Sequence, residues 1–480
     1  MKFYSITFFF LLIIVNNIFS QKLISFRLTK PNYSNHTTEN IQLPFWDDFS
    51  RSDNIDNFYW SKSENVKIID FKNILSPSIN VIEFDGLNRD GDPFNNEGGH
   101  GICDELVSDE INLSSFKLSD SIYLSFYWNI NFNGEFPDLE DSLKVDFLDE
   151  DLNWNTVWHI SGNQNNPINN FHFKNILIEK KYLHEKFMFK FYNLGNSQGP
   201  FDSWLLDYIY VDRNRSKFDS IYLDRTISHK INKILKFHTS IPSEHISESD
   251  NYIDSVNVFI KNLDKDIQPI NYSFIGHIPS LNKNIIISDK KPLSPILGGY
   301  ERRLIKNNPV KLTDYIINND STSINFLFYI ESGDSIISHQ NFRHNDSVKF
   351  KINFKNYYSY DDGTAEYAAG LNQKNSELLV KHHTFKKDTL THLEFFFPKN
   401  IFSNYSSQIE LVGYKNLDDG NQKFISQDVD INFNGSFNIF ELKNPVIIED
   451  SFFIGFRQKE DLFLPVGLDK HTNTSNKIFY

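Results

Sequence analysis

The stretch FDSWLLDYIYVDR, residues Phe201 to Arg213, carries bulky apolar or aromatic side chains at most of its positions. In an extended strand, successive side chains point to opposite sides of the sheet. Strict alternation predicts one face made of Trp204, Leu206, Tyr208, Tyr210 and Asp212 and another made of Leu205, Asp207, Ile209 and Val211. Because both faces carry bulky groups, we predict a strand packed inside a β-sandwich.

A second aromatic stretch, LPFWDDFS at Leu43 to Ser50, lies more than 150 positions earlier. We interpret it as the entry strand of a domain whose exit strand is the 201–213 stretch. Short apolar or alternating runs, separated by Gly, Pro, Asn and Asp, recur between the two and predict further strands. These runs are residues 80–84, 121–131, 142–148, 155–160, 171–178 and 187–192.

Short apolar runs separated by turn residues continue to residue 480. No segment has the pattern of a long amphipathic helix. Predicted strands follow at 254–262, 270–278, 284–288, 310–316, 323–330 and 346–354, and then at 377–384, 389–398, 408–414, 436–442 and 451–458. We therefore predict an all-β protein. Its segments are a signal peptide (1–20), an N-terminal linker (21–40), a jelly-roll-like sandwich (41–216), an immunoglobulin/fibronectin-like sandwich (217–355) and a second jelly-roll-like sandwich (356–480).

Composition narrows the possible partners. The chain has 480 residues, 40% of them hydrophobic, and a formal net charge of −14. An acidic surface repels phosphate backbones and anionic lipid, so we expect no nucleic-acid binding. The single cysteine, Cys103, rules out intramolecular disulfides.

The N-terminus has the order of a secretory signal peptide. Lys2 precedes the apolar run Phe8 to Val15, and the small Ser20 precedes Gln21. No later apolar run reaches the roughly 18 residues that a membrane helix needs. We expect an exported protein without a membrane span, in the periplasm or at the cell surface.

Several motifs together resemble a known family. They are LPFWDDFS (43–50), FDGLNRDGDPF (84–94), DELVSDEINL (104–113), YLSFYW (123–128), FPDLEDSLKVDF (136–147), WNTVW (154–158), FDSWLLDYIYVDRNR (201–215), YDDGTAEYAAGL (360–371) and FFIGFRQKEDLFLPVGLD (452–469). These segments are similar to exported multi-domain β proteins of Bacteroidetes linked to type IX secretion and gliding motility. The resemblance implies a non-catalytic envelope protein whose partner is a large envelope or secretion-system protein. A plug-type component of the translocon is one candidate within that group.

One acidic loop has the oxygen ligands that Ca²⁺ prefers. Asp85, Asn88, Asp90 and Asp92 lie among glycines, and Asp207 is a further candidate ligand. The loop lacks the Glu of an EF-hand, and Asp-Gly steps also form ordinary tight turns. A structural Ca²⁺ and a simple turn both remain open, and no other cofactor is expected.

Two groups of residues are candidates for catalysis. Glu135, Asp138, Glu140 and Asp141 could form a glycosidase pair, which needs two carboxyls close together in a cleft, but acids in a connecting loop are usually solvated. His100 and Cys103 could form a nucleophile pair, although an exposed His and a buried Cys is the plainer interpretation. His382, His383 and His392 offer too few ligands for a metal. We predict no catalytic residues.

All six tryptophans fall in the first predicted sandwich. Trp128 and Trp204 lie in apolar strands and are predicted to be core residues. Trp154 and Trp158 are four apart, so we predict that they share one strand face and that one is exposed. An exposed indole is a typical platform for a sugar ring. A carbohydrate-binding or adhesin-type surface protein is therefore the alternative to a protein-binding role.

Overall fold

The computed structural model describes residues 24–27 and residues 41–480, except 52–54, 56–57, 64, 71–74, 89–92, 96–97, 132–135, 164–169, 198–201, 230–233, 236–237, 246–254, 308–321, 334–340, 400–407, 418–422, 470–471 and 473. The predicted signal peptide and the predicted strand at 310–316 lie outside the described residues. No helix among the described residues is long and apolar enough to cross a membrane.

The chain is all-β, as predicted. In the described part, regular helix is limited to short 3-10 turns at Leu118–Asp120, Lys180–Tyr182, 243–245, Pro279–Leu281, Arg343–Asn345 and Ser475–Lys477. The strands are β1 Ile24–Arg27, β2 Phe45–Asp47, β3 Trp60–Lys62, β4 Lys67–Ile69, β5 Val81–Phe84, β6 His100–Ser108, β7 Tyr123–Asn131, β8 Ser142–Leu148, β9 Trp154–Ser161, β10 His172–Leu177, β11 Phe189–Asn196, β12 Ser203–Asp212, β13 Arg225–Ile227, β14 Ser240–Pro242, β15 Val256–Asn262, β16 Asn271–Ile278, β17 Lys283–Pro292, β18 Arg302–Asn307, β19 Thr322–Glu331, β20 Ser347–Lys355, β21 Tyr367–Leu371, β22 Glu377–His383, β23 Asp388–Phe397, β24 Gln408–Tyr414, β25 Lys423–Asp430, β26 Ser436–Ile448, β27 Ser451–Gln458, β28 Leu464–Leu468 and β29 Ile478–Phe479.

The first block, residues 41–216, is a sandwich of two sheets. One sheet has the order β10-β7-β12-β5-β4, with β2 also paired to β12, and the other has the order β3-β6-β11-β8-β9. The chain changes sheet at most connections, which is the jelly-roll-like arrangement that the sequence predicts. Large aromatic side chains fill the space between the sheets, among them Trp60, Phe126, Phe189 and Trp204.

A β-bulge breaks the strict alternation predicted for the 201–213 stretch. The pairing of β12 with β7 shifts register between Asp207 and Tyr210, and Tyr208 has a φ of 54°. As a result Trp204 and Leu206, but also Ile209 and Val211, point into the core of the first block. Tyr208 and Tyr210 point outward to a different cluster. The prediction of one face running from Trp204 to Asp212 is therefore wrong, because an extra residue inverts the faces that follow it.

The second block, residues 217–355, is a sandwich of the sheets β13-β15-β18 and β14-β20-β19-β16-β17. The short β14 pairs in parallel with β20, whereas the other neighbours in these two sheets are antiparallel. Three strands facing an extended sheet of this order match the immunoglobulin/fibronectin-like prediction.

The third block, residues 356–480, contains the sheet β25-β24-β27-β22-β29, the long pair β23-β26 and a small sheet β1-β21-β28. Strand β1 comes from the segment predicted as a linker, yet it pairs along its length with β21. Part of that segment is therefore a strand of the last sandwich, where it covers an open edge of β21.

An aromatic cluster joins the first two blocks. It consists of Trp46, Tyr208, Tyr222, Leu263 and Phe342, all buried. The ring of Trp46 meets the ring of Phe342 edge-on at a centroid distance of 4.9 Å. Tyr208 belongs to this cluster because the bulge in β12 directs its side chain away from the core of the first block. The blocks are thus held together by apolar packing as well as by the polar contacts described below.

Candidate functional site

The outer face of the sheet β3-β6-β11-β8-β9 carries an exposed aromatic residue in an ordered polar setting. We call this surface the Trp154 face and define it as Glu105, Asp146, Trp154, Lys190 and Tyr192. Trp154 pairs with Leu148 at the end of β8 and is 37% exposed. The ammonium group of Lys190 lies 5.0 Å from the centroid of the Trp154 ring and 4.8 Å from that of Tyr192. It therefore holds the indole through one cation–π contact and is itself held by a second one with Tyr192.

Ion pairs hold Lys190 in place. Its Nζ lies 3.6 Å from Glu105 Oε1 and 3.7 Å from Asp146 Oδ2. Burial raises the pKa of Tyr192, and the nearby Asp146 carboxylate, which accepts its hydroxyl at 3.3 Å, adds to the rise. Burial also raises the pKa of Glu105, but Lys62 and Lys190 outweigh that effect and leave it below its usual value. At neutral pH the face thus presents an ordered set of charged donors and acceptors beside an indole.

Trp154 and Trp158 do not share a face of the strand. Val145 pairs with Trp158 and Asp146 pairs with Thr156, so Val157 is an extra residue in β9. The bulge turns Trp158 inward, where its ring lies 5.2 Å from that of Phe126. The prediction of a shared face is wrong for this reason, whereas an exposed indole is present at Trp154. Trp128 and Trp204 are buried, as predicted.

A second feature of the first block is an acid-lined hollow of about 570 Å³. His100 Nε2 lies 3.0 Å from Asp141 Oδ1, and Asp202 accepts the backbone N–H of Asn196 at 2.8 Å. The other lining residues are Gly99, Asp138, Leu139, Glu140 and Asn196. The prediction of four solvated acids is wrong for Asp141, which is buried against His100. Glu135 lies outside the described residues.

The hollow and the Trp154 face are separate. The hollow lies beside the first residue of β8, whereas Trp154 pairs with the last residue of this seven-residue strand. At about 3.3 Å per residue the two lie about 20 Å apart. A single monosaccharide could not contact both.

Cys103 is buried, as predicted, and is not activated. Its sulfur lies near the carbonyl oxygens of Gly101, Gly195 and Asn196 rather than near an imidazole. Burial, together with Asp104 and Asp202, raises the pKa of the thiol to about 12. Because the thiolate is the nucleophile, such a thiol is inert at neutral pH.

The candidate calcium ligands have partners within the protein. Asp85 forms an ion pair with Lys67 at 2.5 Å, and Asp207 accepts the backbone N–H of Ser78 at 2.9 Å. Leu206 pairs with Ile82, which places Asp207 about four residues, or about 13 Å, from Asp85 along β5. The structure therefore does not bring these two acids together.

The other candidate ligands of the predicted loop do not test the calcium site further. Asn88 is half-buried, and Asp90 and Asp92 lie outside the described residues. Among the described residues, no three His, Cys, Asp or Glu side chains are placed so that they could hold a metal ion. The calcium site stays a prediction.

Buried acids gather where the first block meets the second. We call this set the carboxyl junction and define it as Asp48, Asp207, Asp224, Asn345 and Asp346, all buried. The amide of Asn345 donates to Asp48 Oδ2 at 2.7 Å and to Asp224 Oδ2 at 3.0 Å, while Tyr208 donates to Asp224 at 2.6 Å.

Burial keeps protons on this junction. It raises the pKa of Asp224 to about 7 and, together with the neighbouring Asp224, that of Asp346 to about 8. Burial also raises the pKa values of Asp48 and Asp207. Oδ1 of Asp224, Oδ1 of Asn345 and Oδ1 of Asp346 have no hydrogen-bond partner. The acids are therefore sensitive to pH near neutrality.

Aromatic and imidazole rings gather where the second block meets the third. We call this set the histidine junction and define it as His238, His245, Tyr358, Tyr360 and His382. The ring of Tyr360 stacks on His238 at 4.7 Å and on His382 at 4.9 Å. Burial, with a smaller effect of Lys477, lowers the pKa of His382 to about 4. His382 is thus a neutral ring packed in this stack at neutral pH.

Sequence reasoning did not identify either junction. Asn345 lies 297 positions from Asp48, and His238 has no apolar pattern that marks its burial. Only a weak signal was present, namely an Asp-Asp pair at Asp47 and Asp48 inside an apolar stretch. Buried acids in such a stretch indicate a partner elsewhere in the chain.

Comparison with known proteins does not assign a family. No protein-family model and no curated protein matches this chain. Among solved structures, the N-terminal CBM22 tandem domain of Xyn10C from Paenibacillus barcinonensis aligns at 8% identity over 90% of this chain and 95% of that one, with a TM-score of 0.23. The glycoside hydrolase domain of Endo-D from Streptococcus pneumoniae R6 aligns at 9% identity over 62% and 37%, with a TM-score of 0.20. Scores this low carry no argument about fold or function.

Proposed function

We propose that this chain is a non-catalytic recognition protein that binds carbohydrate on the Trp154 face. The observation that carries the proposal is an indole that is exposed and yet held in place by Lys190. Sugar rings stack on such aromatic platforms, and charged side chains beside the platform bind the hydroxyl groups.

The ordering of the face supports affinity. Lys190, Glu105 and Asp146 are mostly buried and already paired, so they lose little conformational freedom when a ligand arrives. Tyr192 is buried and supports the face through its contact with Lys190. The face therefore combines an apolar platform with preorganised polar groups.

Glycan-array screening followed by titration calorimetry tests the proposal. We expect the intact protein to bind at least one glycan, and Trp154→Ala to abolish that binding without changing the unfolding temperature. Leu152→Ala is the matched control, since Leu152 is an exposed apolar residue two positions away. Absence of binding across the array, or equal binding by Trp154→Ala, would reject the proposal.

A protein partner is the second candidate. It is favoured by two exposed isoleucines on the outer side of β26, Ile439 and Ile447, which are 64% and 66% exposed. Exposed apolar residues on a strand are typical of a protein-binding surface. Export, and association with a type IX secretion apparatus, stay predictions of the sequence.

Co-purification from the native envelope tests this second candidate. An Ile439→Asp, Ile447→Asp double variant should lose any partner that the intact protein retains, while Trp154→Ala should keep it. Retention of the same partner by the double variant would exclude this surface.

A further inference from the structure

Lys67 lies between two acids, Glu83 of the neighbouring strand β5 and Asp85, which directly follows that strand. It pairs directly with Glu83 in the antiparallel ladder of β4 and β5, so both side chains lie on one face of the sheet. Asp85 follows two residues after Glu83 and extends on that same face. Lys67 Nζ lies 2.8 Å from Glu83 Oε2 and 2.5 Å from Asp85 Oδ2.

The third block closes this site to solvent. Lys67, Glu83, Asp85 and Tyr367 are all buried. Tyr367, from β21, lies with its ring 4.4 Å from Lys67 Nζ, and its hydroxyl is within hydrogen-bond reach of both Lys67 and Glu83. A lysine and two carboxyls are thus enclosed together between two sandwiches.

Enclosure makes the charged state of this triad costly. Moving an ammonium and two carboxylates out of water is unfavourable, and an amide bond would replace two of these charges by one uncharged group. Transfer of one proton from Lys67 to Asp85 across 2.5 Å, as the first part of a condensation, would leave two uncharged reactants. The products are an amine nucleophile and a carboxylic acid in contact.

We propose that Lys67 and Asp85 condense into an isopeptide bond, with Glu83 as the proton carrier. The lone pair of Lys67 Nζ attacks Cγ of the protonated Asp85 carboxyl and forms the N–C bond. Glu83 takes a proton from Nζ and delivers it to the departing hydroxyl, the C–O bond breaks, and one water molecule leaves. The step needs no oxidant and no cofactor.

The geometry supplies what such a reaction requires. Two reactants held in contact behave as if at very high concentration, and a positioned carboxylate provides general acid–base catalysis. Glu83 contacts the nucleophile directly. Tyr367 is a positioning residue, since its hydroxyl reaches both Lys67 and Glu83.

The bond would be a covalent cross-link in a chain whose single cysteine cannot form an intramolecular disulfide. It would join β4 to the end of β5 and close a loop over residues 68–84. Closing a loop restricts the unfolded chain and so stabilises the folded one, as a disulfide does. The only cysteine, Cys103, is free.

Mass spectrometry of the purified full-length chain tests the proposal. We expect an intact mass lower by one water than the mass calculated from the sequence of that sample, and a digest in which the peptide of Lys67 is joined to the peptide of Asp85. Because Asp85 precedes Gly86, a succinimide would also lose one water, but it would leave the Lys67 peptide unlinked. A full mass, a succinimide, or a bond from Lys67 to another residue would each overturn the proposal.

Variants separate the roles. Lys67→Arg and Asp85→Ala should lack the linked peptides, and Lys67→Arg should regain the full mass. Glu83→Gln preserves the shape of the side chain, and we expect it to fold, as shown by its circular dichroism, but to remain unlinked. Lys62→Arg is the matched control, since Lys62 on β3 forms an exposed ion pair, and it should stay fully linked. Linkage in Glu83→Gln at the level of the unaltered chain would reject Glu83 as the proton carrier.

Discussion

The carboxyl junction and the histidine junction both bury ionisable side chains between two sandwiches, but they bury opposite kinds of group. The first encloses acids such as Asp224 and Asp346, whose pKa values burial raises to about 7 and about 8. The second encloses a base, His382, whose pKa burial lowers to about 4. Burial disfavours the charged form in each case. The carboxyl junction is therefore weakened by rising pH, and the histidine junction is weakened by falling pH.

The junctions also differ in what accompanies the ionisable groups. At the first, the aromatic cluster around Trp46 and Tyr208 lies beside the acids and supplies apolar burial. At the second, the rings that bury His382 are themselves the stack, with Tyr360 between two imidazoles. At the carboxyl junction, a variant can therefore change the apolar packing without changing the acids that titrate. At the histidine junction, the same rings do both.

The largest expected effect comes from removing the apolar part of the first junction. Trp46→Ala should lower the free energy of unfolding by about 4 kcal/mol, because it leaves a cavity between buried rings. Chemical denaturation at pH 6 measures it. Trp46→Phe, the milder control, should cost roughly 1 to 2 kcal/mol. If Trp46→Ala lowers the free energy of unfolding by less than Tyr360→Ala does, the carboxyl junction does not have the larger contribution from apolar packing.

Asp224→Asn tests the alkaline side of the comparison. The folded-state pKa of Asp224 is about 7, above the unfolded value of 3.8, so its stabilising effect is complete below about pH 3.8 and is lost as pH rises through 7. The variant does not titrate and its carbonyl oxygen still accepts from Tyr208. We expect it to lose less stability than the unaltered protein between pH 5 and pH 8, by on the order of 2 kcal/mol.

Denaturant titrations at the two pH values provide the measurement for Asp224→Asn. Asp266→Asn, which changes an exposed acid of the same block, should leave the pH dependence as it is. Identical slopes for Asp224→Asn and the unaltered protein would show that Asp224 does not hold a proton in the folded state.

His382→Phe tests the acidic side and has the smallest expected effect. Since the folded-state pKa of His382 is about 4, below the unfolded value of 6.5, its contribution is present above pH 6.5 and is lost as pH falls toward 4. Phenylalanine keeps the stack with Tyr360 and does not titrate. We expect the variant to be more stable than the unaltered protein at pH 4.5, by about 1 kcal/mol because the ring is only half-buried.

Thermal unfolding at pH 4.5 and pH 7 measures this difference. His392→Gln is the control, since His392 is exposed on β23 and should change neither value. A variant that is equally sensitive to acid would assign the acid response to other groups.

Many of the longer strands were predictable because they have a local signal, although β6, β18 and β25 were not predicted. The apolar runs at residues 142–148, 171–178 and 451–458 coincide with β8, β10 and β27 within one or two residues. Strand β18, with the sequence RRLIKN, escaped prediction because three of its six side chains are charged. Its pairing with β15 comes from the tertiary fold rather than from its own pattern.

Bulges and junctions were not predictable, for two physical reasons. A bulge such as those at Tyr208 and Val157 adds one residue without changing composition, so the sequence still alternates while the faces exchange. The partners at the junctions lie far apart in the chain, as with Asn345 and Asp48. For the candidate site, an exposed tryptophan was predictable, but its contacts with Lys190 were not.

Strand β1 pairs with β21 in the same block that holds β29, although the chain passes through two other sandwiches between them. Tension applied through β1 and β29 would therefore run across the ladders of the last block alone. The first two sandwiches would carry none of that load until β1 had sheared away from β21, so the Trp154 face would keep its shape under pulling.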